Sequence, residues 1–311
     1  MSLGDKCFKG KSTTKSNKTA RFKPFASQRG KIVKRRRQLK GGVDANAFDP
    51  LDITGLQLWL RADNAIDTFV ADGDVTAWSD ESGNDNDCTV PVTAARRPHY
   101  KENVFGTKPA ILFTGSNDEH LDTTGIQNLF NDDGSDSDYT VILMIKPTGV
   151  ATDNQAIFSD YSSTNWASTA STDANRLAMG IDADSKSTIL GNSTTGDVAI
   201  GDTLVDDTSY IMVARHEYAT TTMRNYLNGT LKSTVTDWVR GQGGGLSPPI
   251  PKIGLMYTSG RDGTTYTNEY TGYIAEIIVY NTAISERNLN DVQNYLLDKY
   301  SLGKMPRPRL N

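Results

Sequence analysis

Two groups of side chains in this sequence have the types and spacing to hold a ligand. The first is aromatic. Trp166 sits in the polar run SSTNWAST. A core tryptophan normally stands in an apolar strand, so this indole is expected in a surface loop. There its flat face can stack on a ligand ring or pack against a neighbouring loop or protein. Tyr257, Tyr266 and Tyr270, with Arg261 and Asp262, form a second such loop set. The other group is acidic: Asp132, Asp133, Asp136 and Asp138 crowd into NDDGSDSD, and a further cluster spans Asp80–Asp87. Hard carboxylate oxygens on a turn suit calcium, although neither cluster follows the EF-hand order. Solvated turns are the plainer reading, and no other cofactor is expected.

Catalytic patterns are missing from the sequence. His99, His120 and His216 show no H-x-x-x-H or C-x-x-C spacing and are expected as isolated surface or hydrogen-bonded side chains. Gly241–Gly245 runs into Leu-Ser-Pro-Pro and reads as a loop, not a phosphate cradle. Glu276 is the one acid in the apolar run IAEIIVY. It is expected to accept hydrogen bonds from nearby backbone or turn groups, not to act as a catalyst.

Charge divides the chain. Residues 1–40 hold fourteen of the 33 Lys/Arg and one of the 37 Asp/Glu, leaving 19 and 36 for the rest. A +13 arm therefore precedes a −17 body. The arm has too few apolar residues to fold alone. Basic arms bind acidic partners: nucleic acid, an anionic surface or an acidic protein face. Lys34, Arg35, Arg36 and Arg37 are the densest basic run. Phe8, Phe22 and Phe25 are unusual in a purely electrostatic tail and read as pegs for pockets on a partner. Cys7 and Cys88 make no disulfide framework. The start, MSLGDKCFKG, lacks an apolar signal core, so synthesis in a cytosol is expected. No apolar stretch approaches the length of a membrane span, and no membrane insertion is expected.

The elements that must position these residues are mostly short strands. Residues 1–42 form the arm, 43–52 a linker, 53–302 one domain and 303–311 a basic extended tail. Leu56, Leu58 and Leu60 share one parity, as a half-buried strand requires. Further strands are expected over Val75–Ser79, Ala110–Phe113, Tyr139–Lys146, Ala156–Ser159, Arg176–Ile181, Tyr210–Glu217, Thr222–Leu227, Lys252–Met256 and Gly272–Tyr280. Asn228-Gly229 between two apolar runs signals a two-residue hairpin. One helix is expected near Ser285–Ser301, with Ser285 as N-cap, Leu289, Val292, Leu296 and Tyr300 on one face, and Gly303 at C′. Many short strands with regular turns indicate an all-β sandwich.

Five segments, in order, carry a resemblance. They are ITGLQLWLRADN from Ile53, WSDESGNDN from Trp78, RPHY from Arg97 with KPAILFTGSND from Lys108, the strand ending KPT at Thr148, and IAEIIVYNTAIS from Ile274. Together they resemble the laminin-G-like, concanavalin A-like jelly-roll family over about residues 53–302. The resemblance implies two antiparallel sheets and places Trp59 and Trp78 in the core. Such domains often carry calcium, and a lectin-like site would stack Trp166, Tyr257 or Tyr266 on a sugar beside Arg261 and Asp262. The family's glycoside hydrolases alternate acids as E-x-D-x-E along one strand, aiming a pair into a cleft. No strand here does so.

The reading that follows is a non-enzymatic virion structural protein, most simply of a bacteriophage: a capsid decoration, fibre or minor capsid component. Residues 1–40 would anchor it to other virion proteins, with nucleic-acid contact open, and multicopy assembly is expected. The jelly roll would face outward toward a cell-surface glycan. A stand-alone lectin or adhesin module and a glycan hydrolase or lyase are the alternatives, since one fold hosts many functions.

Overall fold

The computed structural model of the chain describes residues 48–64, 69–130, 137–150, 153–160, 177–191, 198–238, 250–257 and 266–303. In chain order the strands begin with β1 (Leu56–Arg61), β2 (Cys88–Thr89), β3 (His99–Phe105), β4 (Lys108–Thr114), β5 (Leu121–Thr123) and β6 (Tyr139–Pro147). Next come β7 (Gln155–Ser159), β8 (Ala178–Ile181), β9 (Lys186–Leu190), β10 (Val198–Thr203), β11 (Tyr210–Glu217) and β12 (Thr222–Leu227). The set closes with β13 (Thr230–Val235), β14 (Lys252–Ile253), β15 (Met256–Tyr257), β16 (Tyr266–Thr267), β17 (Thr271–Tyr280) and helix α1 (Glu286–Lys299).

These strands form the expected antiparallel sandwich. One sheet has the order β13-β12-β11-β6-β17-β4-β3. Strand β17 is ten residues long, so one of its edges is shared: β4 pairs with Thr271–Ile274 and β1 with Glu276–Tyr280. The other sheet runs β10-β9-β8-β7-β14-β5-β2. Between the sheets lie Leu58, Leu60, Phe113, Leu143 and Ile277, packed with Phe158, Met179, Ile189 and Ile253.

The first sheet is apolar on both faces. Trp59, Ile142, Met144, Val213, Ile278 and Tyr280 point away from the sandwich core and pack under α1 through Leu289, Val292 and Leu296. This explains the unbroken apolar run of β6, which alternates between two buried layers. It also corrects the reading of β1. Leu56 belongs to the helix-side layer, whereas Leu58 and Leu60 face the other sheet. A bulge between Leu56 and Leu58 shifts the parity. The strand is buried on both sides, not half-buried.

Local chemistry sets the turns and caps. Asn228 (φ 47°) and Gly229 (φ 77°) join β12 to β13 as a two-residue hairpin turn, as their tolerance of positive φ predicts. Ser285 Oγ accepts the Asn288 amide at 3.2 Å and caps α1. The helix ends differently from the sequence expectation. Ser301, not Gly303, takes the left-handed C′ position (φ 56°), and the Leu302 amide reaches back to the Leu297 carbonyl at 2.9 Å, closing a Schellman-type end. Val75–Ser79 is not a strand. Val75 and Trp78 are fully buried, but only single bridges, Asp74 to His99 and Trp78 to Cys88, tie this segment to its neighbours. Packing also begins ahead of Ile53: Phe48 and Leu51 lie against the helix-side layer, and Tyr280 Oη donates to the Pro50 carbonyl at 3.1 Å.

Candidate functional site

The outer faces of the two sheets differ. Helix α1 covers the first. On the second, alternation turns Ala156, Ala178, Leu190 and Met256 away from the core as a small apolar cluster, each at most 2% exposed, with Val198 at its margin. Beside it is a groove of about 290 Å3. Its accessible floor is Val198 and Ile200, with Ile200 45% exposed; Leu190, which also lines it, is buried. Its rim is Asn154, Asp182 and Asp184; Thr188 also lines it but is buried. The rim is built by a tight turn between β8 and β9. Asp182 Oδ1 accepts the amides of Asp184 (3.0 Å) and Lys186 (2.9 Å), and Oδ2 accepts the Thr188 hydroxyl at 3.1 Å. Asn154 Oδ1 accepts the Ala183 amide at 2.9 Å. An apolar floor with a few placed polar groups is the general form of a small-ligand site.

A second cluster stands where β5 and β14 meet. The Tyr266 ring lies 4.8 Å from the His120 ring, with the Lys252 ammonium 5.6 Å and the Arg96 guanidinium 5.7 Å from its centroid. Lys252 pairs with Asp122, and Arg96 with Asp118 at 3.1 Å. His120 is buried, donates from Nδ1 to the Asp118 carbonyl at 2.7 Å, and holds Nε2 3.8 Å from Asp122. Burial is the main cause that pulls the His120 imidazole below its ordinary value. Lys252 and Arg96 act in the same direction, against the Asp118 hydrogen bond and the Asp122 charge. Burial, then the nearby Asp122 carboxylate, pushes the Tyr266 phenol up. Tyr266 is partly buried and packs against three side chains, so part of the stacking surface expected of it is spent on its own protein. Tyr257 pairs with Tyr266 through the backbone of the β15–β16 hairpin. Tyr270, the third aromatic expected in this set, is instead fully buried, its ring 6.3 Å from that of Phe113 in the sandwich core.

Several sequence-derived candidates lie outside the described residues: Trp166, Arg261, Asp262, Asp132, Asp133, Asp136, and the arm residues Phe8, Phe22, Phe25 and Lys34–Arg37. Asp138 is described, and its carboxylate accepts the Tyr218 amide at 2.8 Å. Among the described residues no three His, Cys, Asp or Glu side chains are grouped as a metal site. In the other acidic cluster Asp80 is occupied by protein. Its two oxygens accept the Trp59, Ser82 and Asn86 amides and the Ser82 hydroxyl, at 2.6–3.1 Å. The SGN turn is thus a clamp on β1.

Glu276 is bound more tightly than the sequence suggested, and by side chains instead of backbone. It is 1% exposed. Oε1 accepts Trp59 Nε1 (2.5 Å) and Tyr295 Oη (2.9 Å); Oε2 accepts Lys299 Nζ (2.7 Å) and Tyr300 Oη (2.9 Å). Four donors, from β1, α1 and the Tyr300 cap of that helix, saturate both oxygens. Burial first, with the Glu276 charge adding, pushes the Tyr295 and Tyr300 phenols up. Of the two alternatives expected of the histidines, surface or hydrogen-bonded, His120 takes the hydrogen-bonded one. His216 is 1% exposed and stacks on Tyr139 at 5.0 Å, and His120 is buried.

Residues 115–290, more than half of the chain, match the family described as the concanavalin A-like lectin/glucanases superfamily. The chain belongs to this superfamily. No curated protein matches its sequence. Solved structures share the fold at low identity. Domain 4 of AbnA, an extracellular arabinanase from Geobacillus stearothermophilus solved with arabinotriose, aligns with a TM-score of 0.50 at 16% identity, covering 77% of this chain and 98% of that one. The binding domain of Paraclostridial Mosquitocidal Protein 1 gives 0.52 at 12% identity, covering 80% and 54%. The receptor binding domain of botulinum neurotoxin D gives 0.50 at 13%, also covering 80% and 54%. The chain thus spans about half the length of the two toxin chains. The superfamily contains both lectins and glucanases, so its fold leaves the chemistry to individual side chains. In this member the groove residues were not foreseen. The groove's apolar residues sit on β9 and β10, whose Ser, Thr, Gly and Asp residues hide the alternation that Leu190, Val198 and Ile200 carry.

Proposed function

We propose that this superfamily member is a non-enzymatic glycan-binding protein, carried as a structural component of a virion by its basic N-terminal arm. The observation that carries the glycan reading is the groove on the outer face of the β7–β10 strands. Its Val198 and Ile200 floor suits the C–H face of a sugar ring, and its Asn154 and Asp184 rim suits ring hydroxyls. The likeness to an arabinotriose-bound domain of the same fold supports this reading. The non-catalytic part is supported by Glu276, whose oxygens are saturated by four donors beneath α1 and cannot reach a substrate. The anchoring part is supported by charge: a +13 arm and a −17 body call for an acidic partner at the arm.

The test joins two measurements. The purified chain is applied to a glycan array and incubated with the bound glycans, and a chain lacking residues 1–40 is scored for incorporation into particles. Binding without turnover, and loss of incorporation, are expected. Turnover of a bound glycan would replace the proposal with the hydrolase reading. Incorporation at normal occupancy without the arm would overturn the anchoring part, and a stand-alone lectin would then be the better account.

A further inference from the structure

We infer that the ligand of the groove is a neutral glycan, not an acidic one; this rests on the glycan-binding reading. An acidic sugar brings a carboxylate or sulfate that needs a cation. The seven strands of the sheet that bears the groove carry two cations, Lys186 and Lys252. Both face carboxylates. Lys186 Nζ is 3.8 Å from Asp184, and Lys252, whose side chain is 6% exposed, is paired with Asp122. Arg96, beside the same face, is paired with Asp118. Arg97 donates to the carbonyls of Pro91 and Val92.

The groove rim itself presents Asp182 and Asp184. Asp182 is held as an acceptor by two amides and a hydroxyl, which fixes an anionic wall in place. Asp184 has a side chain 82% exposed, so its oxygens are available to a ligand. Sugar hydroxyls are donors and suit such acceptors. A ligand carboxylate placed there meets like charge, and the −17 body adds repulsion at longer range. A neutral ring can instead lay its C–H face on Val198 and Ile200. The groove volume, about 290 Å3, stands at the lower bound for small-ligand pockets.

The experiment uses the full chain and matched glycans that differ only in acidity, such as lactose against sialyllactose and a neutral trisaccharide against its uronate. The basic arm can itself attract acidic glycans, so wild type is compared with Asp184→Lys and Ile200→Ser, which carry the same arm. Circular dichroism checks that each variant is folded. Groove binding is whatever Ile200→Ser removes. Wild type is expected to bind a neutral glycan through the groove and its acidic partner about tenfold more weakly at low salt. That gap should narrow toward 1 M salt, where the screening length falls to about 3 Å. Asp184→Lys should shift the ratio about tenfold toward the acidic partner. Groove binding that favours the acidic glycan in wild type overturns the inference and leaves the glycan reading standing. If Ile200→Ser removes no binding to any glycan, the groove is not a glycan site and both readings fall.

Discussion

Replacing Glu276 by Gln separates a structural acid from a catalytic one. The change keeps size but removes charge and exchanges one acceptor oxygen for a donor. Four donors now converge on both oxygens: Trp59 Nε1, Tyr295 Oη, Lys299 Nζ and Tyr300 Oη. After substitution, two of them face an NH2 group. Lys299 keeps Asp63 as a partner at 2.8 Å, which limits the damage on that side. Breaking a buried charged pair typically costs about 3–5 kcal/mol. A domain of this size has a total stability of about 5–15 kcal/mol. Each kcal/mol lowers Tm by about 2–4 °C at this length, so a drop of about 6–20 °C is expected. The assay is urea unfolding and a thermal melt followed by circular dichroism, with exposed Asp298→Asn as a control expected within about 0.5 kcal/mol of wild type. A loss below about 1 kcal/mol for Glu276→Gln would refute the clamp. Unchanged stability together with loss of a glycan-cleaving activity would make Glu276 catalytic.

Three further outcomes are expected. Leu296 is fully buried between α1 and the sheet, so Leu296→Ala should cost about 2–5 kcal/mol, and an unchanged melt would count against the packing. His120 is held below the ordinary imidazole value of 6.5, so the unfolded chain takes up that proton first as pH falls. Its contribution is therefore complete above about pH 6.5 and is lost as pH drops through the folded value, by at most about 1.4 kcal/mol per pH unit. His120→Gln should flatten stability between pH 6.5 and 5, and an identical slope in the variant would refute this. For the arm, if Lys34, Arg35, Arg36 and Arg37 dominate anchoring, high salt should release the chain from particles, because screening shortens the reach of exposed charges. If Phe22 and Phe25 dominate, salt should do little and Phe22→Ala with Phe25→Ala should release it. Retention under both treatments would refute the anchoring.

Strands rich in apolar residues and bounded by clear turn signals were readable in advance. Tyr210–Glu217 and Thr222–Leu227 match β11 and β12 end to end, because apolar patterning and an Asn-Gly turn are both local signals. The helix was readable for the same reason, from its Ser285 cap and one apolar face. The family resemblance carried the sandwich itself. Strands β9, β10 and β3 escaped, since their residues are polar and their strand state comes from ladder partners far away in sequence.

What the sequence determined by itself was therefore the class of fold, the local turns and caps, and the division into basic arm and acidic body. These depend on spacing, residue type and composition. The tertiary structure decided the roles of the polar residues. It placed Glu276 under four donors and Asp80 under backbone amides, and it turned Leu56 away from Leu58 by one bulge. It assembled the groove from Asn154, Asp182 and Ile200, which stand on three separate segments. Burial and hydrogen-bond partners arise only when distant segments meet, and that meeting sets whether an acid is a clamp, a rim or a catalyst.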